Sequence, residues 1–301
     1  MSPPNSLRHP PALALVGAGA ISVQFGAAVA TKLFSRVGPA GAVTLRLVVA
    51  ALVLLGFQRM SRWWRSEEPT RLARGDIGVA IAFGLVLGAM NLTFYEAIDR
   101  IPLGVAVTLE FSGPLALALV SSRRWRDGIW AAAAGTGVAL LATGLGRHLD
   151  VAGVGFALLA GLFWIGYILL SKETGRRFES LHGLTWAMTA GGLAVLPFGL
   201  LQGGSALFRA PTLGLGIGVA VLSSVVPYSL ELLALRRVTP RSFGIMMSLD
   251  PAVATAAGFL VLGQHLTMRE WVALGLVVAA NLGNALSGRV PADEGVLGAT
   301  P

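Results

Sequence analysis

Ten apolar runs of about 20 residues, each long enough to cross roughly 30 Å of hydrocarbon, constrain what this 301-residue chain can fold into. They fall near 12–34, 39–58, 76–98, 102–121 and 127–144, and then near 151–171, 181–202, 212–235, 240–262 and 270–288. Composition agrees, with 54% of residues hydrophobic and 13% charged, against roughly 25% charged in an average soluble domain. The mean hydropathy is +0.72. The predicted fold class is an all-α integral membrane protein with ten transmembrane helices.

The ten runs divide into two sets of five that match at an almost fixed offset. Gly26, Thr31 and Lys32 fall on Gly166, Ser171 and Lys172, 140 residues later, and Gln24 falls on Trp164. Ala97, Arg100 and Pro114 fall on Ala234, Arg237 and Pro251 at an offset of 137, and Trp130 falls on Trp271 at 141. The residue matches are weak singly, but the run boundaries move with them. Because five is odd, the second set must enter the membrane in the opposite sense. That is an inverted-topology repeat, which in transporters places the substrate site near the midplane where the halves meet. The expected divisions are a cytoplasmic tail over 1–11, a first repeat over 12–144, a second over 151–288, and a disordered cytoplasmic tail over 289–301.

The net charge of +8 reports orientation, not a nucleic-acid partner, because position decides its meaning. With the N-terminus in the cytoplasm, 16 of the 23 Lys and Arg fall in cytoplasmic segments. Six fall on the other face (Lys32, Arg36, Arg100, Arg147, Arg209 and Arg269), and Arg46 lies inside the second run. This positive-inside bias predicts that both termini are cytoplasmic.

Acids inside the apolar runs are the candidate functional residues. Glu110 lies near the middle of the fourth run and Asp250 at a similar depth in the ninth. A carboxylate at bilayer depth costs a few kcal/mol, so it usually faces protein or a watery cavity. Each is either locked in an ion pair or a protonated hydrogen bond, or used to bind a substrate ammonium group or a proton. Burial raises a carboxylate pKa, which would let such a group exchange a proton for a cation. Pro114 and Pro251 sit beside these acids, and a proline removes one backbone bond and frees the carbonyl four residues before it, here Glu110 and Met247. Broken backbone at this depth is tolerated where protein or a wet cavity can satisfy it.

Arg46 either pairs with an acid, where its planar fork suits a carboxylate, or snorkels to the outer interface. Glu231 lies within about a turn of the cytoplasmic end of the eighth run, four residues after the helix-breaking Pro227, and could pair with Arg236 or Arg237. Glu96 is placed to pair with Arg100. Gln24, Asn91, Trp164, Tyr167 and Tyr228 are candidates for a cavity wall, although aromatic residues in membrane helices more often pack or face lipid. The 39 glycines, many inside the runs, read as close helix packing or as hinges.

Enzyme chemistry finds no support. The chain has no cysteine, and its four histidines, His9, His148, His182 and His265, lie in loops or at helix ends without metal-ligand spacing. No nucleophile is paired with a base. No metal and no cofactor is expected.

The stretches LRLVVAALVLL around Arg46, IPLGVAVTLEFSGPLALALVSSRR around Glu110, SSVVPYSLELLAL around Glu231 and FGIMMSLDPAVATAAGFLVLGQ around Asp250 resemble the threonine and homoserine exporter group. That group belongs to the EamA branch of the drug/metabolite transporter superfamily. The resemblance covers roughly 11 to 288. It implies a multi-pass exporter of the bacterial inner membrane, built from two inverted EamA repeats, that moves small amino acids and their analogues at the expense of the proton gradient. Asp250 is a departure, since members of the group typically carry a glutamate there.

The expected function is therefore proton-coupled export of small amino acids. The partners are a small-molecule substrate, protons and the lipid bilayer. Arg46, Glu110, Asp250 and Glu231 would form the substrate or proton site. The alternative is export of another small amphipathic metabolite or drug, and a passive channel would also explain a wet midplane. A homodimer stays open as an assembly.

Overall fold

The computed structural model describes residues 12–65, 74–120, 127–143, 150–178, 182–227, 230 and 247–287. Everything regular among them is helical. α1 spans Ala12–Arg65, α2 Arg74–Ile98, α3 Leu103–Glu110, α4 Ser112–Val120 and α5 Asp127–Thr143. α6 spans Val151–Arg177, α7 His182–Gly203 and α8 Ala210–Ala220; the last two helices are α9, Asp250–Leu262, and α10, Met268–Ser287.

The apolar stretch of α1, Ala14–Met60, is 47 residues long, about 70 Å at 1.5 Å per residue and more than twice the hydrocarbon thickness. It turns back at Gly38, whose φ of 68° and ψ of 173° are not helical, immediately before Pro39. Proline locks its own φ and lacks an amide donor, so it suits the start of the second arm. The two arms meet the two separate runs expected over 12–34 and 39–58. Gly75–Ile98, Val151–Arg177 and His182–Phe208 are also long and apolar enough to cross a bilayer, and shorter apolar helices run through Leu103–Leu117, Gly128–Leu141, Ala210–Val225 and Asp250–Leu262.

Two spans are broken where proline was expected to break them. α3 stops at Glu110 and α4 starts at Ser112, with Pro114 in its first turn. After α8 the chain widens into a π turn over Val221–Val225, just before Pro227. At Pro251 the chain is broken as well, but on the other side of the acid. The described part of the ninth run enters through a turn at Ser248 and Leu249, and Asp250 and Pro251 open α9. The break thus precedes the acid, and Asp250 occupies the first turn of its helix, not the middle.

Small residues bring the helices together. A Cβ on Gly84 would meet the Ala187 carbonyl, and one on Gly191 would meet the Gly84 carbonyl at 2.6 Å, so α2 and α7 touch backbone to backbone. α2 packs on α6 and α7; the π turn after α8 packs on the first arm of α1, and α8 itself on the second. The second arm also lies on α7, α3 on α9, and α5 on α10. One end of the bundle gathers Gly38, Gln202, Leu103 and Gln264; the other gathers Arg177 and Asp76. At the Gly38 end the core is closed by Leu33, Val37, Leu103 and Leu207, all buried.

Candidate functional site

A cavity of about 560 Å³ lies inside the bundle, lined by residues of α1, α2, α3, α4, α6, α9 and α10 and of the π turn. Its wall holds Arg46, Glu110 and Asp250 together with Gln24, Asn91, Trp164 and Tyr167, and also Pro114 and Pro227. It reaches Asn284 and Ala285 in the last turn of α10, near the Arg177 end. Tyr95, fully buried and packed on Phe34 at 5.6 Å between ring centroids, lies beneath the closed end.

Arg46 is held by what Pro227 does to the backbone. Proline has no N–H, so the carbonyls that would receive it, Ser223 in α-helical register and Leu222 in π register, lose a donor. Arg46 Nη2 donates to the Ser223 carbonyl at 2.9 Å, and Ser22 Oγ donates to the Leu222 carbonyl at 2.6 Å. Arg46 Nε also donates to Ser224 Oγ at 3.3 Å and Nη1 to Tyr95 Oη at 3.4 Å, with the guanidinium 5.8 Å from the Tyr95 ring centre. The side chain is buried, 7% exposed, so it does not snorkel to the interface.

Glu110 ends α3 and is 9% exposed. Among the described residues its carboxylate makes no hydrogen bond, while the charges of Arg46 and Asp250 both reach it. Its main-chain carbonyl, freed by Pro114, lies against Gly161 of α6, where a Cβ would approach to 2.6 Å. Asp250 is 5% exposed, and as the first residue of α9 it sits at the positive end of that helix.

The rest of the wall is part aromatic and part amide. Trp164 meets Phe111 edge to face at 4.6 Å, and Tyr167 packs on Phe83 at 5.2 Å. Asn91 Nδ2 donates to the Leu87 carbonyl at 2.8 Å. Gln24 is 4% exposed, and its Oε1 has no hydrogen-bond partner among the described residues. Leaving a buried acceptor unsatisfied costs about 1–3 kcal/mol.

Sequence reasoning missed Ser223, Ser248, Asn281 and Asn284, which also line the cavity. The two asparagines carried a signal, since they stand three apart in an otherwise apolar run and so share one helix face. Glu96 lies away from the cavity and pairs with Arg100 at 2.5 Å. Glu231 and Tyr228 fall outside the described residues. No group of three or more His, Cys, Asp or Glu among the described residues is placed to hold a metal.

Apolar helices long enough to cross a bilayer, around a cavity lined by an arginine, two acids and amides, fit a multi-pass membrane transporter. The comparisons with known proteins agree. Residues 151–285 match the model of the EamA-like transporter family. The chain is 40% identical to the threonine/homoserine exporter RhtA of Escherichia coli K12, over 95% of this chain and 96% of that one. It is 42% identical to the protein of the same name from Salmonella typhimurium LT2, over 88% of each. A solved crystal structure covers 91% of this chain and 96% of its own with a TM-score of 0.60 at 15% identity, a likeness of fold alone. The chain belongs to the EamA-like transporter family of the drug/metabolite transporter superfamily, in the group of the RhtA exporters.

Proposed function

We propose that this protein exports small amino acids such as threonine and homoserine, or their analogues, across the bacterial inner membrane in exchange for protons. The observation that carries the reading is Glu110, a buried carboxylate without a hydrogen bond among the described residues, in a cavity shared with Arg46 and Asp250. Such a group can take a proton or a substrate ammonium, but not both at once. That competition is the coupling an antiporter needs. Arg46 offsets one of the two negative charges and is a candidate partner for the substrate carboxylate, while the amides and aromatics of the wall suit a small amphipathic molecule. The substrate class comes from the names of the relatives at 40–42% identity.

The transport cycle in this reading is alternating access by two inverted five-helix repeats, 12–144 and 151–288. The helix pairing supports it. Moving each span five places along the chain turns the contact of α2 with α6 into that of the α8 segment with the first arm of α1, and it maps the pairs α3–α9 and α5–α10 onto themselves. The positive-inside bias supports cytoplasmic termini, which puts the Arg177 end, toward which the cavity reaches, in the cytoplasm.

The test is uptake of radiolabelled threonine and homoserine into everted membrane vesicles, with and without a proton gradient. Wild type should show gradient-dependent uptake that Glu110→Gln abolishes and Asp250→Asn strongly reduces, both variants remaining inserted and monodisperse. Uptake indifferent to both substitutions removes the acids from the mechanism, and uptake indifferent to the gradient removes the proton.

A further inference from the structure

We propose that Gln202 and Gln264 are paired latches that hold the cavity shut at the Gly38 end of the bundle. This rests on the alternating-access reading above and adds the residues that gate it.

The first amides of a helix have no partner within it and are usually capped by a local side chain. Two helices here take the cap from far away. Gln202 Oε1, at the end of α7, accepts from the Ala40 amide at 2.7 Å, across 162 residues of sequence. Gln264 Oε1, just after α9, accepts from the Leu103 amide at 3.0 Å, across 161 residues. Both capped amides directly follow a proline, Pro39 and Pro102.

Each glutamine also has a glycine seat. The Gln202 side chain fills the space that a Cβ on Gly38 would take, and Gln264 Oε1 would lie 2.6 Å from a Cβ on Gly258. The first seat is on the helix that receives the cap and the second on the helix that supplies it, so the two latches are alike in chemistry without being copies.

The helix pairs joined in this way, the second arm of α1 with α7 and α3 with α9, carry Arg46, Glu110 and Asp250 deeper in the bundle. Each pair takes one helix from 12–144 and one from 151–288. In that reading, opening the Gly38 end separates α7 from the second arm of α1 and α9 from α3 at this end, which breaks both bonds. Gln202 is exposed and Gln264 half-buried, so water can replace each bond when it opens. The latch is therefore reversible, unlike a buried contact between unsatisfied groups.

The chain contains no cysteine, which makes sidedness directly measurable. Met90 lines the cavity, so Met90→Cys reports access from each face to a membrane-impermeant maleimide, with Ser205→Cys, exposed at the Gly38 end, marking that face. Cavity labelling should come from the Arg177 face in otherwise wild-type protein. Adding Gln202→Leu and Gln264→Leu should raise labelling from the Gly38 face by about thirtyfold, as loss of two net hydrogen bonds predicts. Gln202→Glu with Gln264→Glu, which keeps an acceptor oxygen, should restore the original sidedness.

Unchanged sidedness in the folded double Leu variant overturns the latch. So does a Glu pair that behaves like the Leu pair, or a Met90→Cys protein labelled equally from both faces before any latch is removed. None of these readings uses substrate or a gradient, so failure here is separate from failure of the export reading, which vesicle uptake decides.

Discussion

The link between Pro227 and Arg46 makes a quantitative prediction. Arg46→Met keeps a long apolar side chain but removes the donor to the Ser223 carbonyl at 2.9 Å and the weaker bonds to Ser224 and Tyr95. It also leaves Glu110 and Asp250 without the arginine in their cavity. A hydrogen bond from a charged donor contributes about 1.5–3 kcal/mol, and breaking a buried charged network typically costs about 3–5 kcal/mol, so Arg46→Met should destabilise by about 3–5 kcal/mol. Pro227→Ala alone should change stability by no more than about 1 kcal/mol, because the carbonyls it would serve are already satisfied by Arg46 and Ser22. In the double variant the new Ala amide can donate to the Ser223 carbonyl that Arg46 has left. The pair should then be about 1–2 kcal/mol more stable than the sum of the single effects. Equilibrium unfolding of the purified protein in mixed detergent and SDS measures all three. Additivity to within about 0.5 kcal/mol would refute the idea that Arg46 stands in for the amide that proline lacks.

Two further substitutions test the packing around the site. Gly161→Ala should destabilise by about 1–3 kcal/mol, since its Cβ would come within 2.6 Å of the Glu110 carbonyl. Gly155→Ala on the same helix has nothing within 4 Å and should be neutral or gain up to about 1 kcal/mol; equal effects in the same unfolding assay would sink the close-contact argument. Glu96→Gln removes a partly exposed pair with Arg100, so it should cost no more than about 1 kcal/mol and leave vesicle uptake intact. Loss of uptake in a stable Glu96→Gln protein would bring that residue back into the site.

Run lengths and prolines made much of the architecture legible, for local physical reasons. The turn between the two arms of α1 is written in the sequence VGPAG, and the α3–α4 break in the proline that follows Glu110. At Pro251 the sequence left open on which side of Asp250 the break falls, because proline frees the same carbonyl whether it sits inside a helix or opens one, and only the backbone tells which. Arg46 was ambiguous for a similar reason. Snorkelling and pairing need the same residue at the same depth, and the choice depends on Ser223 and Ser224, which are 177 and 178 residues away. Gln202 and Gln264 gave no signal, because a polar residue at the end of an apolar run looks solvated until a helix from the other half is seen to lean on it.

Among the described residues, Ser223, Ser224 and Tyr95 are neutral hydrogen-bond partners of Arg46, which under the proposed function would let one arginine act on two acids without neutralising either for good. An arginine in bidentate contact with Glu110 would lock that carboxylate as an anion and occupy the oxygens a ligand needs. Here the guanidinium is turned toward the Ser223 carbonyl, Ser224 and Tyr95, and its charge still reaches Glu110 through the cavity. The field of the arginine is thus kept while the carboxylate oxygens stay available, an arrangement that depends on the carbonyl Pro227 sets free. Under the proposed function, a glutamate that exchanges one cation for another needs both conditions, and Pro227 and Arg46 would supply them together.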